Sequence, residues 1–240
     1  MSNYFFFIGL PYAALVIMIM GSASRYFNFG FKVSSLSSQF LEGHQLFYGS
    51  QPFHWGLSFL FFGHLIGFLF PRSVIAWNSI PLRLFILEIS AFGFGILALV
   101  GLILLVFRRI LNRRLHMVTS VMDIVVYVIL TVQIVTGLWI AFFFRWGSSW
   151  FASVLTPYIN SVLTLDPDIK AVSALPIMIK IHLVSAFTMI AVIPYTRFMH
   201  FLVFPISYLW RSYQYVIWNW DRKKIRNSTD LYPGVKSRNN

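Results

Sequence analysis

Five long apolar stretches divide this chain, and each is long enough to cross a lipid bilayer as a helix. About 20 apolar residues span a hydrocarbon core of roughly 30 Å, and a helix satisfies all of its own backbone hydrogen bonds there. Only 11% of the residues are charged, whereas soluble domains average about 25%. The chain is therefore predicted to be an all-α integral membrane protein, a bundle of five transmembrane helices. The predicted spans are residues 4–24, 51–70, 82–107, 117–144 and 176–204.

The basic residues indicate how these spans are oriented. With the N-terminus outside, the inner segments 25–50, 107–117 and 206–240 hold thirteen Lys and Arg residues, whereas the outer segments hold five. Cytoplasmic loops carry an excess of Lys and Arg, so we expect the N-terminus outside, the C-terminus in the cytoplasm, and a multi-pass protein of the inner (cytoplasmic) cell membrane. The same topology signal explains the net charge of +12, and no nucleic-acid partner is expected.

Two regions lie outside the spans. Residues 1–218 are predicted to form the transmembrane domain, and residues 219–240 a polar, basic cytoplasmic tail. The segment 147–175 carries Asp166, Pro167 and Asp168. We expect it to be the longest outer loop, with room for a short interfacial helix.

Four histidines lie within the predicted spans, two in the second and two in the fifth: His54, His64, His182 and His200. An ionisable side chain inside the bilayer is costly and by default marks a functional site, and imidazole is a common ligand of haem iron. The chain has no cysteine, which excludes thiolate-bound iron–sulfur clusters and covalent c-type haem. Two histidines on each of two helices therefore indicate two haems b, each held by two histidines.

The spacings predict which histidines pair. His54 and His64 are ten residues apart, a rise of about 15 Å, while His182 and His200 are eighteen apart, about 27 Å and five whole turns along one helix face. The second and fifth spans run in opposite directions, so His64 pairs with His182 near the outer face and His54 with His200 near the cytoplasm. Tilt, or a kink at Pro194, absorbs the difference in rise. The two haems are expected to stack across the bilayer.

Other interpretations of these residues stay open. A haem-free, ion-coupled transporter would use the histidines as proton relays, but transporters usually show repeats or broken helices, and the only acids within the spans are Glu88 and Asp123. A plain membrane anchor for a soluble enzyme would need none of the four histidines. Gly56, Gly63 and Gly67 either let a flat macrocycle approach the second helix or serve helix packing.

A larger set of residues resembles the gamma subunit of respiratory nitrate reductase, a membrane cytochrome b of similar length with five spans. The resemblance is carried by Phe53-His54-Trp55-Gly56 through Gly63-His64 to Gly67, and by His182 through Pro194 and Arg197 to His200. It covers almost the whole chain and includes Gly21 to Tyr26, Ser37 to Gln39, Arg108-Arg109, Asp123, Gln133, Gly137-Leu138, Pro205, Tyr208, Arg211 and Tyr213-Gln214. Each motif is short, but the ordered set with both histidine spacings is specific.

The resemblance implies the function and partners of the chain. It implies an inner haem at His54 and His200, an outer haem at His64 and His182, and a quinol site beside the outer haem that includes Gly63 and His64. It also implies an iron–sulfur beta subunit and a molybdenum-containing alpha subunit on the cytoplasmic side. The chain would be the quinol-oxidising, electron-transfer subunit of a nitrate reductase (quinone)-type oxidoreductase, with no catalytic residue for nitrate itself.

Two arginines need separate assignments. The family's quinol site has a lysine where this chain has Pro81-Leu82-Arg83. Arg83 is therefore a candidate for the quinol site, although arginine and lysine are not interchangeable donors. The alternative is that Arg83 anchors the helix at the membrane interface. Because of this departure, a nitrite oxidoreductase, or another molybdenum or sulfur enzyme complex, is an alternative setting for the same fold. Arg197, three residues before His200, is predicted to contact a propionate of the inner haem.

Overall fold

The computed structural model describes residues 2–28 and 44–202, and five helices in these ranges are long and apolar enough to cross a membrane. A short helix, Ser2–Tyr4, and a π-helical turn, Phe5–Gly9, lead into the first of them. These ranges contain helices and connecting turns but no strand, which confirms the prediction of an all-α chain with five spans. The predicted cytoplasmic tail, 219–240, lies outside the described residues. The five long helices are α1 (Leu10–Asn28), α2 (His44–Leu69), α3 (Pro81–Leu111), α4 (Val121–Phe143) and α5 (Ile177–Val192).

The fifth span differs most from its prediction. α5 ends at Val192, and a 3-10 turn, Ile193–Tyr195, follows it. Thr196 is extended, with φ −118° and ψ 176°, and helix resumes only at Met199–Leu202. Proline lacks an amide hydrogen and its ring clashes with the carbonyl one turn earlier, so Pro194 favours a break at this point. The predicted fifth span, 176–204, is therefore broken at Pro194, where a kink was one of the two expected adjustments, and the prediction of five whole helical turns between His182 and His200 was wrong.

The second span also begins elsewhere than predicted. α2 starts at His44, seven residues before the predicted start at residue 51, and it contains Pro52. A proline inside a helix removes one backbone hydrogen bond, which a transmembrane helix tolerates where neighbouring helices pack against it. Pro52 is thus accommodated within the helix instead of marking its beginning.

The break after α5 is held by α1. The guanidinium of Arg25 donates hydrogen bonds to the carbonyl oxygens of Pro194 and Thr196, the latter at 3.4 Å. A Cβ built at Gly21 would lie 2.9 Å from the Cβ of Pro194, so a larger residue there would push the two segments apart. Backbone carbonyls freed by a helix break need a donor inside a membrane. Arg25 supplies that donor.

The long helices pack in the order α1, α5, α4, α3, α2. The most extensive contact joins α2 and α3, where a Cβ at Gly56 would lie 2.6 Å from the backbone nitrogen of Ala98. Small residues of this kind allow close approach of membrane helices. Over the described ranges, the backbones of α2 and α5 have few close contacts. Side chains from these two helices therefore meet without direct packing of their backbones.

The connection between α4 and α5 folds against the ends of α2 and α3. The backbone N–H and the hydroxyl of Ser148 donate to Oε1 of Glu88 at 2.9 and 2.6 Å, and the amide of Asn78 donates to the Ser148 hydroxyl at 2.9 Å. The hydroxyl of Thr156 donates to the Gly67 carbonyl at 3.3 Å. The prediction of a short helix in this loop is confirmed. Its helical segments are Gly147–Trp150, Phe151–Leu155, Thr156–Leu163 and Lys170–Ser173.

Candidate functional site

His64 on α2 and His182 on α5 face each other. Their ring centroids are 6.5 Å apart and the ring planes differ by 32°. These are the two residues that the antiparallel pairing of the second and fifth spans places together near one face of the membrane. The break in the fifth span lies more than two turns beyond His182 and leaves this pair unaffected.

Hydrogen bonds on α2 select one tautomer of its two histidines. Nδ1 of His64 lies 2.7 Å from the carbonyl oxygen of Leu60, and Nδ1 of His54 lies 2.8 Å from that of Ser50. A carbonyl only accepts, so each Nδ1 carries the proton and each Nε2 keeps its lone pair. A histidine that donates one N–H to the protein is in the state that binds a metal through its other nitrogen.

His182 reaches the same state through α4. The hydroxyl of Thr136 donates to the carbonyl of Val132 at 2.6 Å and lies 3.0 Å from Nδ1 of His182. Its single proton is thus used on Val132, and it accepts the Nδ1 proton of His182. Nε2 of His182 accepts from the Gln133 amide at 3.1 Å, and the other end of that amide accepts from the Ser185 hydroxyl. The Gln133 amide must turn aside if Nε2 of His182 is to bind a metal.

The spacing of the two rings fits two imidazole ligands of one metal ion. Two imidazoles on opposite sides of a metal, with metal–nitrogen bonds of about 2 Å, place their ring centroids on the order of 6 Å apart, close to the observed 6.5 Å. Over the described ranges, no group of three or more His, Cys, Asp or Glu residues could hold a metal ion. Within these ranges the two imidazoles thus have no third ligand of these types beside them, which is compatible with a haem, since a porphyrin would supply the remaining nitrogens.

The glycines of α2 have different surroundings. A Cβ at Gly56 would clash with α3, whereas a Cβ at Gly63, next to His64, has nothing within 4 Å. A Cβ at Gly67 would lie 3.0 Å from the ring of Phe151, and that ring also packs edge-on against His64 with centroids 5.3 Å apart. Gly56 thus serves helix packing, and Gly63 leaves open space beside His64.

His54 lines a separate cavity of about 180 Å³ between α2, α3, α4 and the segment after α5. Three guanidinium groups and one carboxylate give this lining two surplus positive charges, which favour an anionic group such as a carboxylate. The buried side chain of Arg108 is one of them. The charged lining residues are Arg108, Arg109, Asp123 and Arg197.

Asp123 binds two of these arginines. Its Oδ1 lies 3.0 Å from Nε of Arg197, and its Oδ2 lies 3.2 Å from Nη1 of Arg109. Asp123 also forms a capping box with Ser120 at the start of α4, so its carboxylate is fixed by several donors. Arg197, predicted to contact a propionate, is held by this carboxylate at the rim of the cavity; the propionate contact stays a prediction.

Comparison with known proteins identifies the family. The chain matches the nitrate reductase gamma subunit family over residues 3–219. It belongs to this family. It is 31% identical over 208 residues to the nitrate reductase gamma chain of Bacillus subtilis, covering 85% of this chain and 93% of the relative. It is 30% identical over 218 residues to the respiratory nitrate reductase 2 gamma chain of Escherichia coli, covering 89% of this chain and 96% of the relative.

For this member of the gamma-subunit family, the structure says less about two other predicted site residues, Arg83 and His200. Arg83 lies at the start of α3, and its guanidinium stacks over the exposed ring of Trp77 at 4.8 Å, which favours an interfacial anchor. Its role in a quinol site stays a prediction. His200 lies in the short helix Met199–Leu202, but its side chain is outside the described residues. Its pairing with His54 also stays a prediction.

Sequence reasoning missed Thr136. The signal was present, because Gln133 and Thr136 are three residues apart in an apolar span and therefore lie on one helix face. Two polar side chains on one face of a membrane helix indicate a polar partner on the neighbouring helix. The partner is His182.

Proposed function

We propose that this chain is the membrane cytochrome b subunit of a nitrate reductase-type complex. It binds two haems b, oxidises quinol at the outer face of the inner cell membrane, and passes the electrons to an iron–sulfur beta subunit on the cytoplasmic side, where a molybdenum-containing alpha subunit completes the complex. The observation that carries the proposal is the facing pair of His64 and His182, with a centroid distance of 6.5 Å.

The outer haem is assigned to His64 and His182. Bound haem iron supplies one-electron transfer by alternating between its ferric and ferrous states. The chain contributes two pre-oriented imidazoles, because Leu60 and Thr136 hold their Nδ1 protons. Phe151 packs edge-on against the ring of His64 and covers one side of it.

The inner haem is assigned to His54 and His200. His54 carries its proton on Nδ1, which leaves the lone pair on Nε2, and it lines the cavity that also contains the guanidiniums of Arg108, Arg109 and Arg197. Guanidinium groups are strong partners for carboxylates, so this lining supports a group with two propionates. Arg197 lies three residues before His200, which brings the predicted ligand near the same cavity.

The quinol site is assigned to the open space at Gly63 beside His64, with Arg83 as the candidate cation. Oxidation of one quinol to quinone releases two electrons, taken one at a time, and two protons, which leave to the outer aqueous phase. Glycine at position 63 lets the flat quinol ring approach α2, since a side chain there would enter the space that the ring needs. The positive-inside distribution of Lys and Arg supports the orientation in which Gly63 and His64 lie toward the outer face of the membrane.

Two alternative functions each have one observation in their favour. A nitrite oxidoreductase would use the same residues with electrons flowing in the opposite direction. The absence of the family's quinol-site lysine near Arg83 is the observation in its favour. A haem-free transporter is favoured only by the helix break after α5, since transporters use broken helices. The break is filled by Arg25 and does not present its carbonyls to an ion, which supports the cytochrome.

The test is the pigment content of the full complex and its reduction by quinol. A pyridine haemochrome assay should give two haems b per chain, and a menaquinol or ubiquinol analogue should reduce them in membranes. A chain without haem contradicts the cytochrome assignment. Two haems that dithionite reduces but no quinol reduces would contradict the quinol assignment alone.

A further inference from the structure

One polar contact of His182 depends on a side chain of another helix. Thr136 on α4 is only 8% exposed, and its hydroxyl accepts the Nδ1 proton of His182 at 3.0 Å. The Nδ1 partners of His54 and His64 lie on their own helix: the carbonyls of Ser50 and Leu60, with the Ser50 hydroxyl also 3.0 Å from Nδ1 of His54. Of these three histidines, His182 is therefore the one whose Nδ1 partner is a side chain of another helix.

The surroundings of His182 keep this contact in one geometry. The ring lies against the backbone of α4, since a Cβ at Gly137 would be 3.1 Å from its Cε1. The Thr136 hydroxyl is tied to the carbonyl of Val132 at 2.6 Å, so it has no proton to offer Nδ1. The imidazole is thus restricted to the tautomer with its proton on Nδ1 and its lone pair on Nε2.

We propose that Thr136 is a positioning residue that fixes the tautomer of His182 and lowers the reduction potential of the outer haem. A hydrogen bond from Nδ1–H to an acceptor increases the electron density at Nε2, which makes the imidazole a stronger donor to the iron. A stronger donor stabilises ferric over ferrous iron and lowers the potential. This inference rests on the proposed function, because it requires a haem at His64 and His182.

Valine and serine at position 136 separate the hydroxyl from the packing. Thr136→Val keeps the branched shape and removes the acceptor, whereas Thr136→Ser keeps the acceptor and removes a methyl group. Thr131→Val is the matched control, because Thr131 lies on the same helix and its hydroxyl bonds only its own helix, at the Tyr127 carbonyl, 2.7 Å away. All three variants are made in the full complex.

The readout is a redox titration of haem absorbance in membranes, with the outer component identified by its loss in His64→Ala. We expect Thr136→Val to shift the midpoint potential of the outer component upward and to leave the inner component unchanged. Thr136→Ser and Thr131→Val should both titrate like the wild type. If Thr136→Val loses the outer component, its retention in Thr136→Ser supports the same role for the hydroxyl.

The opposite outcomes overturn the inference. An outer potential in Thr136→Val that equals the wild-type value, or falls below it, shows that the hydroxyl does not strengthen His182 as a donor. Loss of the outer component in both Thr136→Val and Thr136→Ser shows that packing alone matters. Failure of the proposed function is seen separately, because the wild-type complex would then show no outer component to titrate.

Discussion

Arg197 and Asp123 form an ion pair in which Nε of the arginine lies 3.0 Å from Oδ1 of the carboxylate. Asp123 is in the first turn of α4, and Arg197 lies just beyond the break that ends α5. The pair therefore fixes a segment that has no continuous helix to hold it. This is the segment that leads to His200, and its position decides where the predicted inner ligand enters the bundle.

Asp123→Asn should loosen this segment. The Asp123 carboxylate is nearly buried, but the Arg197 side chain is 35% exposed, so solvent screens part of the lost attraction and we expect a cost on the order of 1–2 kcal/mol. We expect a lower melting temperature in detergent, followed by circular dichroism, together with a broadened or missing inner haem component in redox titrations. The outer component should persist, because His64 and His182 make no contact with Asp123.

Asp166→Asn is the control for the Asp123 variant, since Asp166 is exposed in the loop between α4 and α5. It should behave like the wild type in both measurements. Equal melting temperatures and equal inner potentials for Asp123→Asn and the wild type would show that the ion pair does not position the segment.

The helix break shows which part of the fold could be predicted from the sequence. Length and hydropathy are local properties, so the five spans followed from them directly. Proline alone did not decide between a kink and a full stop: Pro52 is accommodated in α2, whereas α5 ends before Pro194. The difference depends on Arg25, a residue distant in sequence, which supplies hydrogen bonds to the carbonyls that the break frees.

Gly56→Val should destabilise the protein, in contrast to Gly63→Ala. A side chain at Gly56 meets the backbone of α3 at 2.6 Å, and overpacking of this kind costs about 1–3 kcal/mol. A melting temperature of Gly56→Val equal to the wild-type value would contradict the packing role.

Gly63 has open space, so Gly63→Ala should leave the melting temperature unchanged. In the quinol assay, however, we expect Gly63→Ala to slow haem reduction while dithionite still reduces both haems.

Arg83→Ala tests the predicted cation of the quinol site. If Arg83 binds a quinol oxygen, losing a charged hydrogen bond should slow quinol-dependent reduction about tenfold or more, with haem content unchanged. Stopped-flow reduction by a quinol analogue measures this directly. Trp77→Leu is the control, because it removes the stacking partner and keeps the guanidinium. Equal rates in Arg83→Ala and the wild type would assign Arg83 to the membrane interface only.

In the candidate site, too, local sequence patterns predicted some residues, whereas others depend on how distant helices pack. The histidine spacings and the antiparallel spans predicted which residues face each other on α2 and α5, and His64 and His182 do meet. Thr136 could not be ranked in advance, because its importance comes from the rotation of α4 against α5. The ion pair between Asp123 and Arg197 was missed for a similar reason: it joins α4 to the turn beyond α5, and the sequence does not encode their relative position locally.

The most direct test of the account is a comparison of single histidine variants by redox titration of the haem absorbance. The facing rings predict that His64→Ala and His182→Ala lose the same component and retain the other, whereas His54→Ala loses the component that both of them retain. His116→Ala is a suitable control, since its ring is exposed and bonds a backbone carbonyl at 2.9 Å. If His64→Ala and His182→Ala lost different components, or if His54→Ala and His64→Ala lost the same one, the assignment of one haem to the pair between α2 and α5 would be contradicted.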